Sequence, residues 1–214
     1  MTSDHGAGRV ETRSAPSSRA EPAMPEQFTA LHSQALADLS TWTAPSPPQE
    51  QMRARMVETL RLDATAMWRH HSRAHFTTSL VVVDADARRV ALTLHAKAKR
   101  WFQFGGHLEG GDATLEAAAL REGLEESGLA DLRLLPGLLA VDIHALDGAF
   151  GWCTEHLDVR YVAVAVGESL TVSDESDDVR WFDVDVDALP EDAEPALREA
   201  IALACERVRA NPGL

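Results

Sequence analysis

Three glutamates, Glu122, Glu125 and Glu126, stand at i, i+3 and i+4 in a stretch otherwise rich in Ala and Leu. On a helix their carboxylates share one face. Like charges at those spacings destabilise a helix by a few tenths of a kcal/mol per pair. A divalent cation turns the repulsion into ligation, because hard cations take carboxylate oxygens. Three glutamates alone read more readily as a solvated helix face. Their neighbours reverse that weighing. Gly106, Arg121, Glu122, Glu125, Glu126 and Gly128 hold a fixed register. At a background of about 7% or less each, six such identities coincide roughly once in 10⁷ positions. Gly105–Leu129 therefore reads as a glycine turn and a helix that together cradle a metal.

With those residues in place, the segment resembles the signature of the Nudix hydrolase family, G-x5-E-x7-R-E-U-x-E-E-x-G-U, where U is a bulky aliphatic residue. Gly106 matches the first Gly, and Arg121-Glu122, Glu125-Glu126 and Gly128-Leu129 match the second half. Asp112 stands in place of the first Glu, one extra residue separates it from Arg121, and Gly123 occupies the first aliphatic position. The first change keeps a carboxylate. The insertion lies upstream of the glutamates and leaves their spacing intact. Gly123 costs up to about 1 kcal/mol of helix propensity, or else permits a close backbone approach.

The resemblance implies an α/β/α sandwich with a mixed sheet, and attack of water on a phosphorus of a diphosphate linkage. It makes Glu125 and Glu126 the leading metal ligands, with Glu122 either ligating a further ion or taking the proton from water. It casts Arg121 as the residue that orients the glutamates by salt bridge, which completes a catalytic set of Arg121, Glu122, Glu125 and Glu126. The Gly106 carbonyl could join Glu122, Glu125 and Glu126 around the metal, since glycine lets backbone approach a ligand closely. Mg²⁺ is the expected ion because an all-oxygen site suits it, with Mn²⁺ as its substitute.

Four further residues are candidate substrate contacts. Glu175 lies in an acidic turn just before the apolar Val179–Phe182 run, and in the resemblance it could be the additional acid carried in by a distal loop; a solvated turn is the plainer reading. His156 and Asp158 alternate on one face of a predicted strand and could face substrate, although edge strands often expose such pairs. His107, inside the glycine turn, could contact phosphate or metal. The cluster His70, His71 and His75 invites a zinc reading, but a zinc site needs three or four ligands and no Cys or paired motif lies near it in sequence. Trp101, Phe102 and Phe104 could stack on a base, yet aromatics in a short strand more often pack the core.

The composition bounds the rest. The chain has 214 residues, 45% of them hydrophobic, enough for one good core with a small appendage. A net charge of −14 argues against a binder of nucleic-acid polymers but not against a small anionic diphosphate held through metal ions. Cys153 and Cys205, far apart in sequence, fit free thiols in a reducing cytoplasm. No apolar run reaches the roughly 18–20 residues of a membrane span, and the N-terminus lacks a signal-peptide core.

Organisation follows from pattern. Residues 1–25, poor in large apolar side chains, should be disordered, and Met24 offers an alternative start. Residues 26–74 form an N-terminal helical extension, with helices at Glu26–Trp42 and from about Pro48 to His70 broken by Pro45, Pro47 and Pro48. Residues 75–210 form the main domain. Strands are expected at Thr77–Val83, Val90–Leu94, Trp101–Phe104, Leu132–Ile143, His156–Val166 and Val179–Val184, and helices at Thr114–Ser127 and Glu194–Ala210. This pattern is α+β. The expected function is a metal-dependent hydrolase cleaving a diphosphate linkage in a nucleoside diphosphate derivative. A non-catalytic Nudix-like sensor of nucleotides or sugar phosphates is the alternative. An isoprenoid-diphosphate isomerase is disfavoured by the intact glutamates. The N-terminal helices could shape the pocket or form a homodimer interface.

Overall fold

The computed structural model describes residues 26–146, 153–185 and 187–211. The disorder expected for residues 1–25 lies outside them. Strand β1 (Ala74–Val83) is buried over nine consecutive residues, as a strand covered on both faces must be. Phe76, Leu80 and Val82 point into one core, whereas Val81 and Val83 point into a second. The period-2 alternation thus divides one apolar run between two layers.

β1 pairs in parallel with β7 (Glu155–Ala165) on one side, from Ala74 opposite Glu155 to Val83 opposite Val164. On its other side it pairs antiparallel with β2 (Arg89–His95) through Val82 and Val83, and with β4 (Phe104–His107) through Thr77–Leu80. β2 also carries β3 (Trp101–Phe102) and β8 (Ser176–Asp183). β5 (Leu132–Leu134) and β6 (Ala140–Ala145) both pair with β7. Helices α1 (Glu26–Thr41), α2 (Pro47–Leu62) and α3 (Leu115–Ser127) cover one face, and α4 (Pro195–Arg209) covers the other. The fold is α+β, an α/β/α sandwich around a mixed sheet.

Helices α1 and α2 share the core of the sheet. Phe28, Leu31, Leu39, Met56 and Leu60 lie in one buried cluster with Leu80, Leu115 and Tyr161. Three expected elements are redrawn. The second helix stops at Leu62 rather than His70, because the Asp63 carboxylate accepts the Thr65 N–H at 2.9 Å and starts a 3₁₀ turn over Ala64–Met67. The strand expected over Leu132–Ile143 breaks into β5 and β6 at Pro136-Gly137, where Gly137 takes φ +85°. Trp101–Phe104 divides between β3 on β2 and β4 on β1, so Phe104 is fully buried while Trp101 sits edge-on to Phe182 with ring centroids 4.8 Å apart. No helix among the described residues is long and apolar enough to cross a membrane.

Candidate active site

Helix α3 begins where the Thr114 hydroxyl accepts the Ala117 N–H at 2.9 Å, and it ends at Gly128 in the left-handed conformation, φ +66°. Between these caps it lies close on β1. A Cβ at Gly123 would stand 2.4 Å from Leu80 Cδ2, so the absence of a side chain there sets the approach of helix to sheet.

Gly105, Gly106 and His107, expected in a turn, lie instead in strand β4, because they pair in register with Thr77–Ser79 of β1; β4 meets the glutamate face of α3 through the two glycines. The Gly105 N–H donates to Glu126 Oε2 at 2.9 Å. A Cβ at Gly106 would lie 2.7–2.8 Å from the carboxylate atoms of Glu122. Arg121 ties the set together. Asp112, nearly buried, accepts from its Nε at 2.9 Å and from its Nη2 at 3.0 Å. Nη1 donates to Glu122 Oε1 at 2.9 Å and to Glu125 Oε2 at 3.2 Å, and Nη2 also reaches the His107 carbonyl at 3.1 Å. The bidentate grip of Asp112 fixes the plane of the guanidinium. The carboxylate that departs from the family pattern is thus spent on Arg121.

Burial dominates the electrostatics of the two inner glutamates. It raises the Glu126 carboxyl to about 8, against the Gly105 hydrogen bond and with the help of Glu122, Glu175 and Glu125. Burial also raises Glu122, where Arg121 works in the opposite direction. Glu175, exposed in its loop, is near enough to push both carboxyls upward. Glu125 stands at the rim with its side chain 60% exposed. Three converging glutamate carboxylates, two of them sharing the Arg121 guanidinium with Asp112, beside two strand glycines with no side chain, form an all-oxygen donor set that fits a hard divalent cation.

The other face of β4 belongs to different chemistry. Gly106 is opposite Thr78 and His107 is opposite Thr77, so consecutive residues point to opposite sides of the sheet. His107 therefore joins His75 and His156, with the three ring centroids 5.1–5.3 Å apart. Burial, then the neighbouring imidazoles, lowers His107 to about 3; burial, His144 and His75 lower His156 to about 4. Asp158 lies on this face too, 3% exposed. It accepts from Thr77 Oγ1 at 3.1 Å, Ser79 Oγ at 2.7 Å and Arg160 Nε at 3.0 Å, and Arg160 continues to Asp142 at 2.8 Å.

The structure thus gathers Gly106, Arg121, Glu122 and Glu126 tightly, with Glu125 at the rim and Glu175 nearby. His107, His156 and Asp158 occupy a separate polar layer. His70 and His71 do not join His75; both rings lie against Trp68, at centroid distances of 6.2 Å and 6.0 Å. Sequence reading missed Asp142, His144, Arg160 and Cys153 as members of the polar layer. The alternation of His156, Asp158 and Arg160 on β7, and of Asp142 and His144 on the preceding β6, was the available signal; β1 and β4, which complete the layer, are remote in sequence. Cys153 and Cys205 are both free thiols.

The NUDIX domain family matches residues 74–204. Solved structures similar to the chain include a NUDIX-family hydrolase from Clostridium perfringens, at 27% identity over 64% of this chain and 97% of that one, TM-score 0.46. A MutT NUDIX hydrolase from Burkholderia pseudomallei is 25% identical over 62% and 98%, TM-score 0.47. The C. elegans Ap4A hydrolase, 14% identical over 63% and 98% with TM-score 0.51, shares the fold. No functionally curated protein matches the chain.

Proposed function

The chain belongs to the Nudix family and is a Nudix pyrophosphohydrolase, and from that premise we propose that it cleaves a diphosphate linkage in a nucleoside diphosphate derivative with the help of Mg²⁺. The observation that carries the reading is the convergence of Arg121, Glu122, Glu126 and the Gly105-Gly106 stretch of β4, with Glu125 at the rim. A divalent cation bound there supplies neutralisation of the diphosphate charge and a lowered pKa for ligated water. Glu125 and Glu126 are the leading ligands and the Gly106 carbonyl a further donor, with Mn²⁺ able to replace Mg²⁺.

The protein's own groups organise the reaction. The Gly105 N–H holds one oxygen of Glu126, and Asp112 locks Arg121 so that its Nη1 positions Glu122 and Glu125. Arg121 engages Oε1 of Glu122. That contact supports Oε2 as the atom that ligates or takes the proton from the attacking water. Water adds to phosphorus, the bond from that phosphorus to the bridging oxygen breaks, and the second phosphate leaves with the bridging oxygen. Glu175 is a candidate for a further acid at the rim. The two free thiols support a reducing, cytoplasmic setting.

The test is turnover of nucleoside triphosphates, sugar nucleotides, ADP-ribose and dinucleoside polyphosphates with Mg²⁺, Mn²⁺ or EDTA. Hydrolysis that needs metal and collapses in Glu125→Gln and Glu126→Gln supports the proposal and names the substrate class. Compounds that raise the melting temperature without being cleaved would replace it with the sensor reading. Sedimentation of the full chain tests whether the N-terminal helices form a homodimer interface.

A further inference from the structure

On the face of the sheet opposite the glutamates, His75 from β1, His107 from β4, His156 from β7 and Cys153 just before β7 each bring one ligand-type atom into a group whose members all lie within 4.8 Å of one another. We propose that these four side chains bind a zinc ion, in a His₃Cys site separate from the carboxylate site and independent of the hydrolase reading.

Four residues from three strands and a loop converge on one point only because of the register. His75 pairs with His156 across β1 and β7, and Thr77, two residues on, pairs with His107 of β4. His75 is completely buried, and the other three are half-buried. Nδ1 of His75 contacts the Ser72 carbonyl at 2.9 Å. That contact requires the ring proton on Nδ1, so Nε2 presents its lone pair toward Cys153 Sγ, 3.9 Å away. A carbonyl on the distal nitrogen is the usual outer partner of a metal-ligating histidine. Nε2 of His107 and Nε2 of His156 are buried without a hydrogen-bond partner among the described protein atoms. Buried ring nitrogens are normally satisfied, and two orphans in one cluster point to a shared ligand.

The donor set selects the ion. Three imidazoles and a thiolate suit tetrahedral zinc, whereas Mg²⁺ prefers oxygen. Zinc–nitrogen bonds of about 2.0–2.1 Å and zinc–sulfur bonds of about 2.3 Å place tetrahedral ligand atoms about 3.3–3.6 Å apart. The cluster must therefore contract by roughly 1 Å, and ligation releases the thiol proton of Cys153 to solvent. Arg69, exposed, donates to Nδ1 of His107 at 3.1 Å. Ligation through Nε2 moves the ring proton to Nδ1 and displaces that guanidinium. With four protein ligands the site is closed and structural. It pins Cys153 and the start of β7 to the strand that carries Gly106.

The experiment uses the full chain, stripped with chelator, desalted after one addition of zinc and analysed by elemental emission, with Co²⁺ absorption spectra recorded in parallel. About one zinc per chain should survive desalting. Cobalt should give intense tetrahedral d–d bands and a near-ultraviolet thiolate charge-transfer band. Cys153→Ser should remove the charge-transfer band, and His156→Gln should take retained zinc to near zero. The Glu125→Gln/Glu126→Gln double variant should retain both zinc and spectrum. The cobalt spectrum of the unaltered chain decides the matter even if a variant misfolds. Weak octahedral bands without charge transfer, or zinc that is lost in the glutamate variant but kept in Cys153→Ser, would overturn the proposal.

Discussion

Gly106 and Glu122 are packed so closely that a single methyl group on the glycine would stand 2.7 Å from a carboxylate oxygen. Its φ is not in the left-handed range, so the requirement for glycine is one of space. Gly106→Ala should leave the melting temperature nearly unchanged, because Glu122 can swing outward, yet move the carboxylate by about an ångström. A displacement of that size costs about 10²-fold in turnover. Steady-state kinetics beside thermal unfolding checks it, and an unchanged kcat would show that the Glu122 position is not critical.

The bidentate contact between Asp112 and Arg121 makes a second prediction. Asp112→Asn keeps the shape but halves the charge-assisted bonding, leaving Arg121 to satisfy itself on Glu122 and Glu125. Arg121 is about one-fifth exposed, which limits the penalty. The expected loss is about 1–3 kcal/mol of stability, read by denaturant unfolding. Activity should fall as well, because the same guanidinium positions the glutamates.

Much of this arrangement was legible in the sequence, for identifiable reasons. Helix α3, expected over Thr114–Ser127, spans Leu115–Ser127, because the Thr114 side chain caps its start and Gly128 its end through the neighbouring backbone alone. The glutamate face followed from helical periodicity, and the salt bridges of Arg121 to Glu122 and Glu125 from the family signature. The polar layer opposite was illegible because it depends on which strands adjoin β1. Register places His75 beside His156 and Thr77 beside His107, and nothing within any one segment encodes those pairings. Gly123 left two readings open, and its contact with Leu80 explains it as a close approach.

Glu126 carries a pH signature. Its carboxyl is raised from 4.5 to about 8, chiefly by burial. Below the lower value both folded and unfolded states hold the proton. Between the two values the unfolded chain gives it up first, so folded stability falls as pH rises and levels off above the upper value. Glu126→Gln removes this contribution. The variant should therefore gain stability relative to the wild type from pH 5 to pH 8, by a few kcal/mol at most, in EDTA. Mg²⁺ should close the gap, and calorimetry at pH 7 in buffers of different ionisation heat should show proton release on ion binding. A stability difference independent of pH would mean that Glu126 is already ionised.

Asp158 separates a structural role from a substrate contact. Both of its oxygens are engaged within the protein, by Thr77, Ser79 and Arg160, and Arg160 is itself buried. Removing one partner of a buried ion pair usually costs 3–5 kcal/mol, because the other charge is left uncompensated. Asp142 still accepts from Arg160 at 2.8 Å and the Ala196 carbonyl accepts at 2.9 Å, so Asp158→Ala should fall near the lower end, about 3 kcal/mol. Asp158→Asn should cost less, since an amide oxygen still accepts from a hydroxyl. If Asp158 held substrate instead, both variants would raise KM and leave the unfolding midpoint where it was. Unfolding curves and KM values measured on the same preparations distinguish the two roles.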